Sequence, residues 1–472
     1  MPLVCGVDSS TQSTKVELRD AETGVPVASG RAPHPVTSPP RSEQWPAEWW
    51  SAYEAARAAA GHHDDVAAIA VAGQQHGLVV LDANDEVIRP AKLWNDVESA
   101  PDAARLVDTL PGGAAAWAQR CGSVPLASFT VSKLAWLRRA EPDGYARVAR
   151  VLLPHDWMTW RLSGARVTDR GDASGTGYWS PHTSTWCAEL LAQVDPDVEW
   201  RTKLPEIAGP LDEVGRNGHA VVAPGTGDNM AAALGVGLGP GDVALSIGTS
   251  GTVYAVSASP TADPSGAVAG FADATGAFLP LVCTLNATKV TDALARVLDL
   301  DHDTFDRLAL DAEPGAAGVV LVPYFDGERT PNRPHARGLL AGLRGDVRRE
   351  QLARAAFEGV VCGLLEGLDA LLAACDPATV GSHDGRLVLV GGGARSRAYR
   401  QVVADLAGRP VTVPAAEEQV ATGACVQAAA VLHRCPPAAV ADAWGLRAGT
   451  IVEPTPGVDA AAIRTRYAEA RA

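Results

Sequence analysis

Two short segments of the chain, far apart in the sequence, repeat one pattern of strand, small polar turn and strand. Residues 7–14 read VDSSTQST, and residues 245–252 read LSIGTSGT. Thr249 follows Thr11 by 238 positions, which is about half of the 472 residues. A repeat at this spacing predicts a duplicated domain. Glycine and proline cluster at residues 237–241, so we expect an N-terminal domain at 1–240 and a C-terminal domain at 241–472.

Composition narrows the class of protein. The hydrophobic fraction is 47 % and the charged fraction 20 %, as in globular proteins. The net charge of −15 with no long basic run argues against nucleic acid or an anionic membrane as a partner. No signal-peptide pattern and no run of 18 apolar residues occurs, and the eight cysteines form no Cys-x-x-Cys pair. We therefore expect a cytoplasmic protein with reduced thiols and no structural zinc.

Hydrophobic periodicity predicts an α/β fold. Residues 349–374 give the clearest helix, with apolar residues at three- and four-residue steps and Arg354 and Glu358 off that face. Further helices are predicted at 46–60, 290–300, 396–407 and 419–432. Strands are predicted at 3–9, 14–20, 278–283, 319–325 and 387–390, with two more in 67–83 on either side of 73–77.

The two repeated turns are candidate phosphate sites. A turn rich in Gly, Ser and Thr directs several backbone N–H groups into one concavity, which suits phosphate oxygens. The first would use Thr11, Gln12, Ser13 and Lys15, and the second would use Gly248–Gly251 including Thr249. The alternative is that each is an ordinary hairpin turn.

Two aspartates are candidate catalytic groups. Asp8 ends the first strand beside its turn, where a carboxylate and a phosphate are compatible if magnesium lies between them; a simple turn cap is the alternative. Asp228 begins an alanine-rich helix and is either an N-cap or the acceptor of a proton from a sugar hydroxyl. The helix N-terminus is expected to lower the pKa of Asp228. Phosphoryl transfer tolerates a weak base, because it depends mainly on positioning and charge stabilisation.

Four other segments offer weaker candidates. His76 in GQQHG is either structural or a donor to a substrate hydroxyl, and Trp94 is suited to border a sugar. Gly392, Gly393 and Ala394 follow a strand and leave room for a purine, although such turns need glycine anyway. The chain has no GxxxxGK[ST], and this turn is not GxGxxG, which argues against P-loop and Rossmann binding. His34 and His62–His63 lack metal-ligand spacing and are expected at the surface.

Several motifs together resemble the FGGY carbohydrate kinases, over nearly the full length. The C-terminal signature is matched by GLLAGL at 338–343, Gln351-Leu352 and AAFE at 355–358. The earlier signature is matched by Ser128, Thr130, Lys133, Leu134, Trp136 and Leu137, with Ala140 in place of a polar residue. GERTP at 327–331 is also typical. Within the family, VAGQQHGLVVLD, LWND, GTGDN and GGGARS resemble the kinases that act on D-xylulose, whereas glycerol kinases carry Arg-Glu at Gln75-His76.

The resemblance implies two ribonuclease-H-like domains of the actin/hexokinase/Hsp70 type with a cleft between them. It implies transfer of phosphate from ATP-Mg to D-xylulose, and a homodimer is common in the family. The residue roles it implies are Asp228 as catalytic base, Gln75, His76 and Asn229 at the sugar, Asp8 at the magnesium, Thr11, Ser13, Lys15 and Thr249 at the phosphates, and Gly318, Gly392 and Gly393 at the nucleotide. Two departures, Ser10 for glycine and Gln75 for the methionine of some members, affect the openness of the first turn and the sugar preference.

Two alternatives remain open. One is a kinase for another ketopentose, a pentitol or glycerol, which a substrate panel separates. The other is an actin- or Hsp70-like nucleotide switch without enzymatic use of a sugar. Such a switch would be expected to carry an appended partner-binding domain, and two domains already account for the 472 residues.

Overall fold

The computed structural model describes residues 2–61, 65–380, 385–416 and 418–472. The described chain forms two compact units, each assembled from segments distant in sequence. Unit 1 comprises Met1–Gly239, Ala258–Leu279 and Ala416–Arg447, and unit 2 comprises Pro240–Ser257, Pro280–Ala415 and Ala448–Ala472. Each unit contains a mixed β-sheet with helices, which confirms the expected α/β fold class.

Unit 1 is built on a mixed sheet. Its strands are β1 (Leu3–Ser9), β2 (Ser13–Asp20), β3 (Pro26–Pro33), β5 (Val66–Gly73), β13 (Gly215–Asn217), β14 (Ala220–Val222) and β15 (Thr226–Gly227). Their order is β13-β14-β5-β1-β2-β3, and β15 pairs with the end of β5. β1 is antiparallel to β2 and parallel to β5, β2 is antiparallel to β3, β5 is parallel to β14 and β15, and β14 is antiparallel to β13.

The other elements of unit 1 surround this sheet. The helices are α1 (Pro46–Ala60), α2 (Ala100–Thr109), α3 (Gly113–Cys121), α4 (Thr130–Ala140), α5 (Pro142–Ala146), α6 (Pro154–Ser163), α7 (Arg170–Ser174), α8 (Ala188–Leu191), α9 (Asp228–Gly235), α14 (Gln419–His433) and α15 (Pro437–Ala443). The short strands are β4 (Glu43–Gln44), β6 (Val79–Leu81), β7 (Ala91–Lys92), β8 (Arg150–Leu152), β9 (Val167–Asp169), β10 (Trp179–Ser180), β11 (Thr185–Trp186), β12 (Glu206–Ala208) and β18 (Ala269–Ala272).

Side-chain size along β5 decides what packs on each face of the unit 1 sheet. Ile69 and Val71 join the core beneath α1 and α6, which includes the buried Trp49. The alternating small residues Ala68, Ala70 and Ala72 join a second core with the alanines of α14. Because alanine projects little from the sheet, α14 lies close to the backbone, and a Cβ on Gly6 of β1 would overlap that helix.

Unit 2 has the same sheet topology. Its strands are β16 (Val243–Ile247), β17 (Gly251–Ala255), β19 (Phe278–Thr284, mostly in this unit), β22 (Leu387–Val390), β23 (Val411–Pro414) and β24 (Gly449–Val452), in the order β19-β17-β16-β22-β23-β24. β16 is antiparallel to β17 and parallel to β22, β17 is antiparallel to β19, β22 is parallel to β23, and β23 is antiparallel to β24. The repeated sequence pattern therefore corresponds to a repeated arrangement of six strands.

The long helix of unit 2, Arg349–Ala374, contains a buried ion pair. The helices are α10 (Thr288–Val297), α11 (His302–Asp311), α12 (Arg349–Ala374), α13 (Arg397–Ala407) and α16 (Ala460–Arg471), and β20 (Val320–Val322) pairs with β21 (Leu339–Ala341). Arg354 and Glu358 of α12, which the periodicity places off the apolar face, are buried. They form an ion pair at 2.7 Å; Arg354 also bonds Asp405, and Glu358 accepts a bond from the Gly315 amide.

Most of the predicted helices and strands are confirmed to within a few residues. The run 319–325 is shorter than predicted, because only Val320–Val322 pairs with a neighbouring strand. The surface position predicted for His34 is wrong: its ring is buried, with Nε2 2.8 Å from the Thr14 hydroxyl. His62 and His63 lie outside the described residues. None of the helices in the described ranges combines the length and apolarity that crossing a bilayer requires.

Candidate active site

The carboxyl ends of three parallel strands meet at one edge of the unit 1 sheet. Asp8 of β1 and Thr226 of β15 both pair with Ala72 of β5, from opposite sides. The chain that leaves β5 carries Gln75 and His76, and the chain that leaves β15 continues into Asp228. Ligands of open α/β sheets bind at this edge. The topology therefore brings together the predicted base, the predicted magnesium residue and the predicted sugar contacts.

Asp228, Asn229 and Gln75 form a hydrogen-bonded group. The Asn229 amide donates to Gln75 Oε1 at 2.7 Å and lies 3.1 Å from Asp228 Oδ1. Gln75 packs on Gly227, where a Cβ would come within 2.7 Å of Gln75 Cγ. Gln75 Nε2 is buried without a hydrogen-bond partner. Since a buried unpaired donor is costly, this amide is poised for an oxygen acceptor such as a sugar hydroxyl.

Asp228 is more basic than its position in the helix predicts. Gly227 is the N-cap of α9, and Asp228 is the first helical residue. Burial, followed by the charges of Asp8 and Asp172, raises the pKa of Asp228 to about 8. The prediction that the helix N-terminus lowers this pKa is wrong, because desolvation and two carboxylates outweigh the field of an eight-residue helix. A carboxyl group with a pKa near neutral suits proton acceptance.

A buried polar cluster that no sequence motif indicated lies near Asp228. His155 Nδ1 donates to Asp172 Oδ2 at 2.7 Å, and His155 Nε2 lies 3.4 Å from Asp156 Oδ1. Burial disfavours the charge on His155, but Asp156, Asp172 and Asp169 together raise its pKa to about 9. The imidazole thereby holds in place the Asp172 carboxylate, whose charge acts on Asp228.

The first repeated hairpin carries a charge pair across its strands. Asp8 pairs in register with Lys15, and Asp8 Oδ2 lies 3.4 Å from Lys15 Nζ. The Ser10 hydroxyl donates to Asp8 Oδ1 at 2.8 Å, so this departure from glycine fixes the carboxylate. Lys15 also donates to Glu418 at 2.6 Å. Burial raises the pKa of Asp8 in spite of Lys15 and Ser10, and burial opposes the charge on Lys15, but Asp8 and Glu418 raise its pKa overall.

His76 has a fixed ring orientation and an unusual backbone. Its φ of 66° lies in the left-handed region. Nδ1 lies 2.7 Å from the Gly175 carbonyl oxygen, which can only accept, so Nδ1 carries the proton. In the neutral ring Nε2 is then an acceptor, and donation to a substrate hydroxyl, as predicted, would require the protonated ring.

The remaining predicted residues of the first hairpin divide into two groups. The Thr11 hydroxyl accepts a hydrogen bond from the Trp94 indole at 2.8 Å, and 40 % of the Trp94 side chain is exposed. Both residues therefore border the turn. Gln12 is exposed at its tip, while the buried Ser13 hydroxyl accepts a hydrogen bond from Arg31 at 3.2 Å. Ser13 is thus engaged within the sheet rather than in the turn.

In unit 2 the second repeated turn opens onto a cavity of about 1090 Å³. Gly248 and Thr249 line one part of it, and Gly392 and Gly393 line another. The Gly248 amide donates to Ser250 O within the turn, so it is not directed at a ligand. Gly318 and Ala394, which the sequence analysis also places at the nucleotide, are not among the lining residues.

The sequence analysis missed other residues of this cavity. Phe357 meets Tyr399 edge-on with centroids 4.6 Å apart, and the Tyr399 hydroxyl lies 3.1 Å from that of Thr291. Asp306 accepts hydrogen bonds from the Ser396 hydroxyl and the Arg397 amide at the start of α13. The AAFE motif at 355–358 contains Phe357 and the GGGARS motif ends at Ser396, but neither motif indicated that these residues line the cavity.

The duplicated sheet indicates the class of protein. A mixed sheet repeated in two units, with acidic residues at its carboxyl edge, is the architecture of actin/hexokinase-type phosphotransferases. Residues 3–235 match the N-terminal domain of the FGGY family of carbohydrate kinases, and residues 243–432 match the C-terminal domain. The chain belongs to the FGGY family of carbohydrate kinases, and as a member it uses ATP to phosphorylate a sugar.

Individual relatives agree with this assignment. The xylulose kinase of Streptomyces coelicolor is 52 % identical over 464 residues, covering 96 % of this chain and 92 % of its own. That of Escherichia coli is 35 % identical over 426 residues, covering 86 % and 84 %. The crystal structure of xylulose kinase from Bifidobacterium adolescentis has a TM-score of 0.88 at 40 % identity and covers 100 % and 99 % of the two chains. Plasmodium falciparum glycerol kinase with ADP shares the fold, with a TM-score of 0.86 at 18 % identity.

Proposed function

We propose that this enzyme transfers the γ-phosphoryl group of ATP to the 5-hydroxyl of D-xylulose. The proposal draws on the relatives named xylulose kinase and on one structural observation, the grouping of Gln75, Asn229 and Asp228. This group offers a base, an unpaired amide donor and an adjacent histidine acceptor to one small polyhydroxylated molecule. A flexible pentulose needs several such contacts to hold one hydroxyl in line for attack.

In this mechanism Asp228 orients the 5-hydroxyl and accepts its proton. A bond forms between the sugar oxygen and the γ-phosphorus, and the bond from that phosphorus to the bridging oxygen breaks, releasing ADP. The raised pKa of Asp228 favours proton uptake. Gln75 would donate to a sugar oxygen, and His76 Nε2 would accept from a hydroxyl. Thr11 and Lys15 would contact phosphate oxygens, and the cavity of unit 2 would hold the adenosine against Gly392 and Gly393.

Magnesium is part of the proposal, and the residues around Asp8 fit it. Hard divalent cations take oxygen ligands, and Mg²⁺ is commonly bound by one or two carboxylates together with phosphates and waters. Asp8 is a buried carboxylate close enough for its charge to act on Asp228. Asp8 would hold the ion through water, and the ion would neutralise phosphate charge in the transition state. A cytoplasmic location and a homodimer also remain predictions.

A substrate panel and one variant test the function. ADP release is measured with D-xylulose, D-ribulose, xylitol and glycerol, and without a sugar. We expect the highest kcat/KM with D-xylulose and little ATP hydrolysis when no sugar is present. A higher kcat/KM with another acceptor would overturn D-xylulose as the substrate. ATP hydrolysis that does not depend on a sugar would favour a nucleotide switch. Asp228→Ala should lower turnover by about 10²–10⁴-fold. Asp459→Asn, at the exposed N-cap of α16, is the matched control and should leave turnover unchanged.

A further inference from the structure

The start of α4 contacts His76 at its backbone and at its ring. The Thr130 hydroxyl donates to the His76 carbonyl oxygen at 3.2 Å, and Lys133 Nζ donates to the same oxygen at 3.0 Å. Phe129, just before the helix, stacks on the imidazole with centroids 4.9 Å apart and an interplanar angle of 29°. Thr130 and Lys133 are three residues apart and so share one helix face. Two residues of the FGGY signature therefore converge on one carbonyl group in the sugar-binding segment.

This carbonyl group belongs to His76, whose backbone conformation requires stabilising contacts. The φ of 66° places His76 in the left-handed region, which residues with a Cβ rarely adopt. Such conformations persist where the surroundings over-determine them, and they concentrate at functional sites. A carbonyl oxygen has two lone pairs, and Thr130 and Lys133 satisfy both. The two donors thus fix the peptide plane that follows His76.

The ring of His76 is fixed from the opposite side. Its Nδ1 donates to the Gly175 carbonyl oxygen at 2.7 Å. A Cβ at position 175 would come within 2.6 Å of the imidazole, so only glycine admits the ring there. With its carbonyl oxygen and its ring both bound, His76 has one orientation to present to a ligand.

Burial of the Lys133 side chain at this position carries a desolvation cost. Its side chain is fully buried, and its acceptors are the carbonyl oxygens of Ser128 and His76. Burial lowers the pKa of Lys133 to about 7. An apolar side chain of similar volume would avoid the desolvation of an ammonium group. Its presence is therefore better explained by what the donor holds than by packing.

We propose that Thr130 and Lys133 are positioning residues, which bind the carbonyl of His76 and thereby set the orientation in which its ring meets the sugar. The inference rests on the proposed contact between His76 and the sugar. It assigns a task to the Ser128–Lys133 signature that its sequence pattern alone does not reveal. The two residues act on sugar use through His76 and not on ATP.

Three single variants separate positioning from packing. Thr130→Val keeps the shape but loses the donor, and we expect kcat/KM for D-xylulose to fall by about 3- to 10-fold with the KM for ATP unchanged. Thr130→Ser keeps the hydroxyl and should restore most of the activity. Ser132→Ala is the control, because Ser132 lies on the same helix as Thr130 but its hydroxyl donates to the Leu126 carbonyl and not to His76. Its loss should lower thermal stability without changing sugar kcat/KM.

A double-variant cycle gives the decisive result. In a His76→Ala background there is no ring to orient, so Thr130→Val should change sugar kcat/KM by less than about twofold. An equal loss in both backgrounds overturns the positioning role and leaves the sugar contact intact. Unchanged sugar kcat/KM in His76→Ala alone overturns the sugar contact and the positioning role together, while turnover of Asp228→Ala reports on the kinase proposal separately.

Lys133→Met provides a second route if either Thr130 variant is unstable. It removes the other donor at similar volume, and we expect a larger loss of sugar kcat/KM, about 10- to 100-fold, because Lys133 holds the Ser128 carbonyl oxygen as well as that of His76. Its thermal stability should fall little or rise, since the buried ammonium is removed. Wild-type kcat/KM in a folded Lys133→Met enzyme contradicts the inference.

Discussion

The two repeated hairpins have the same strand directions but differ in chemistry. β1–β2 and β16–β17 are both antiparallel pairs, and each is flanked by a parallel strand. In the first hairpin Asp8 and Lys15 face each other across the ladder. In the second hairpin Ser246 lies 238 positions after Asp8 and pairs across the ladder with Thr252, because this hairpin is one residue shorter. The duplication has therefore kept the fold in both units and a charge pair in only one.

The surroundings of the hairpins differ in the same way. Lys15 of the first hairpin is bonded to Glu418, and the charge of Asp8 raises the pKa of Asp228. The second turn is closed by its own Gly248–Ser250 backbone bond, with Ile247 against Gly393. From this contrast we infer that the first hairpin takes part in the transfer step, whereas the second gives shape to a nucleotide cavity.

Substitutions at Asp8 and at Ser246, which lies 238 positions later in the second hairpin, should give the largest difference in kcat. Asp8→Asn should lower kcat by about 10²–10³-fold, because in the proposed mechanism it removes a preorganised charge next to the transferring phosphate. Ser246→Ala should change kcat by less than about twofold. Steady-state rates with D-xylulose and ATP at saturating magnesium check both. Equal effects of the two variants would show that the hairpins are chemically equivalent and would contradict the comparison.

The same variant has an opposite effect on stability. The pKa of Asp8 is raised by burial in the folded protein. Between the unfolded and folded pKa values the folded protein holds a proton that the unfolded chain has lost. The free energy of unfolding due to this group therefore decreases as pH rises through that window. Asp8→Asn should raise the Tm at neutral pH and reduce its pH dependence; a lower Tm at neutral pH would contradict the cost assigned to this carboxylate.

The pH profile of kcat/KM tests whether neighbouring carboxylates raise the pKa of Asp228. With the pKa of Asp228 raised to about 8, kcat/KM for the sugar should fall about tenfold for each pH unit below that value. Asp172→Asn removes a nearby negative charge and should move the midpoint of this limb to lower pH. Asp301→Asn, which changes an exposed helix cap, is the control. A flat profile from pH 6 to 8 would exclude Asp228 as the titrating base.

Sequence reasoning succeeded where local pattern determines structure. Runs of β-favouring residues predicted β1 and β2, three- and four-residue steps predicted α12, and the 238-residue repeat predicted a duplication. Sequence reasoning failed where contacts between residues distant in the sequence determine which side chains are buried. Arg354 and Glu358 look like surface residues of α12 until Asp405 and the Gly315 amide meet them.

The candidate site divides in the same manner. Asp228, Gln75 and His76 stood out because each follows a strand in an unusual local sequence. The His155–Asp172 hydrogen bond joins residues 17 positions apart, and the Thr130–His76 hydrogen bond joins residues 54 positions apart. Local sequence patterns do not reveal either contact. The raised pKa of Asp228 depends on burial and on the charges of Asp8 and Asp172, so helix position alone predicted the wrong direction.

Lys15 tests the binding side of the comparison. Lys15→Met should raise the KM for ATP by about tenfold, because a charged donor to a phosphate oxygen is lost. The KM for sugar should change less. Lys203→Met is a suitable control, since Lys203 donates to the Val148 carbonyl. A selective loss of sugar affinity in Lys15→Met would instead place this lysine at the acceptor.

The smallest expected effect concerns the second hairpin, where backbone shape and not charge should matter. A Cβ on Gly393 would overlap the Ile247 side chain, so Gly393→Ala should destabilise the protein by about 1–3 kcal/mol and raise the KM for ATP. A Cβ on Gly248 meets only Ser250 O, at 3.4 Å, so Gly248→Ala should be neutral or stabilising by about 0.4–1 kcal/mol. Thermal unfolding with and without ADP measures both. If Gly248→Ala destabilised as much as Gly393→Ala, the second turn would be as sensitive to an added side chain as the strand end beside it, and the assignment of shape to the Ile247–Gly393 contact would fail.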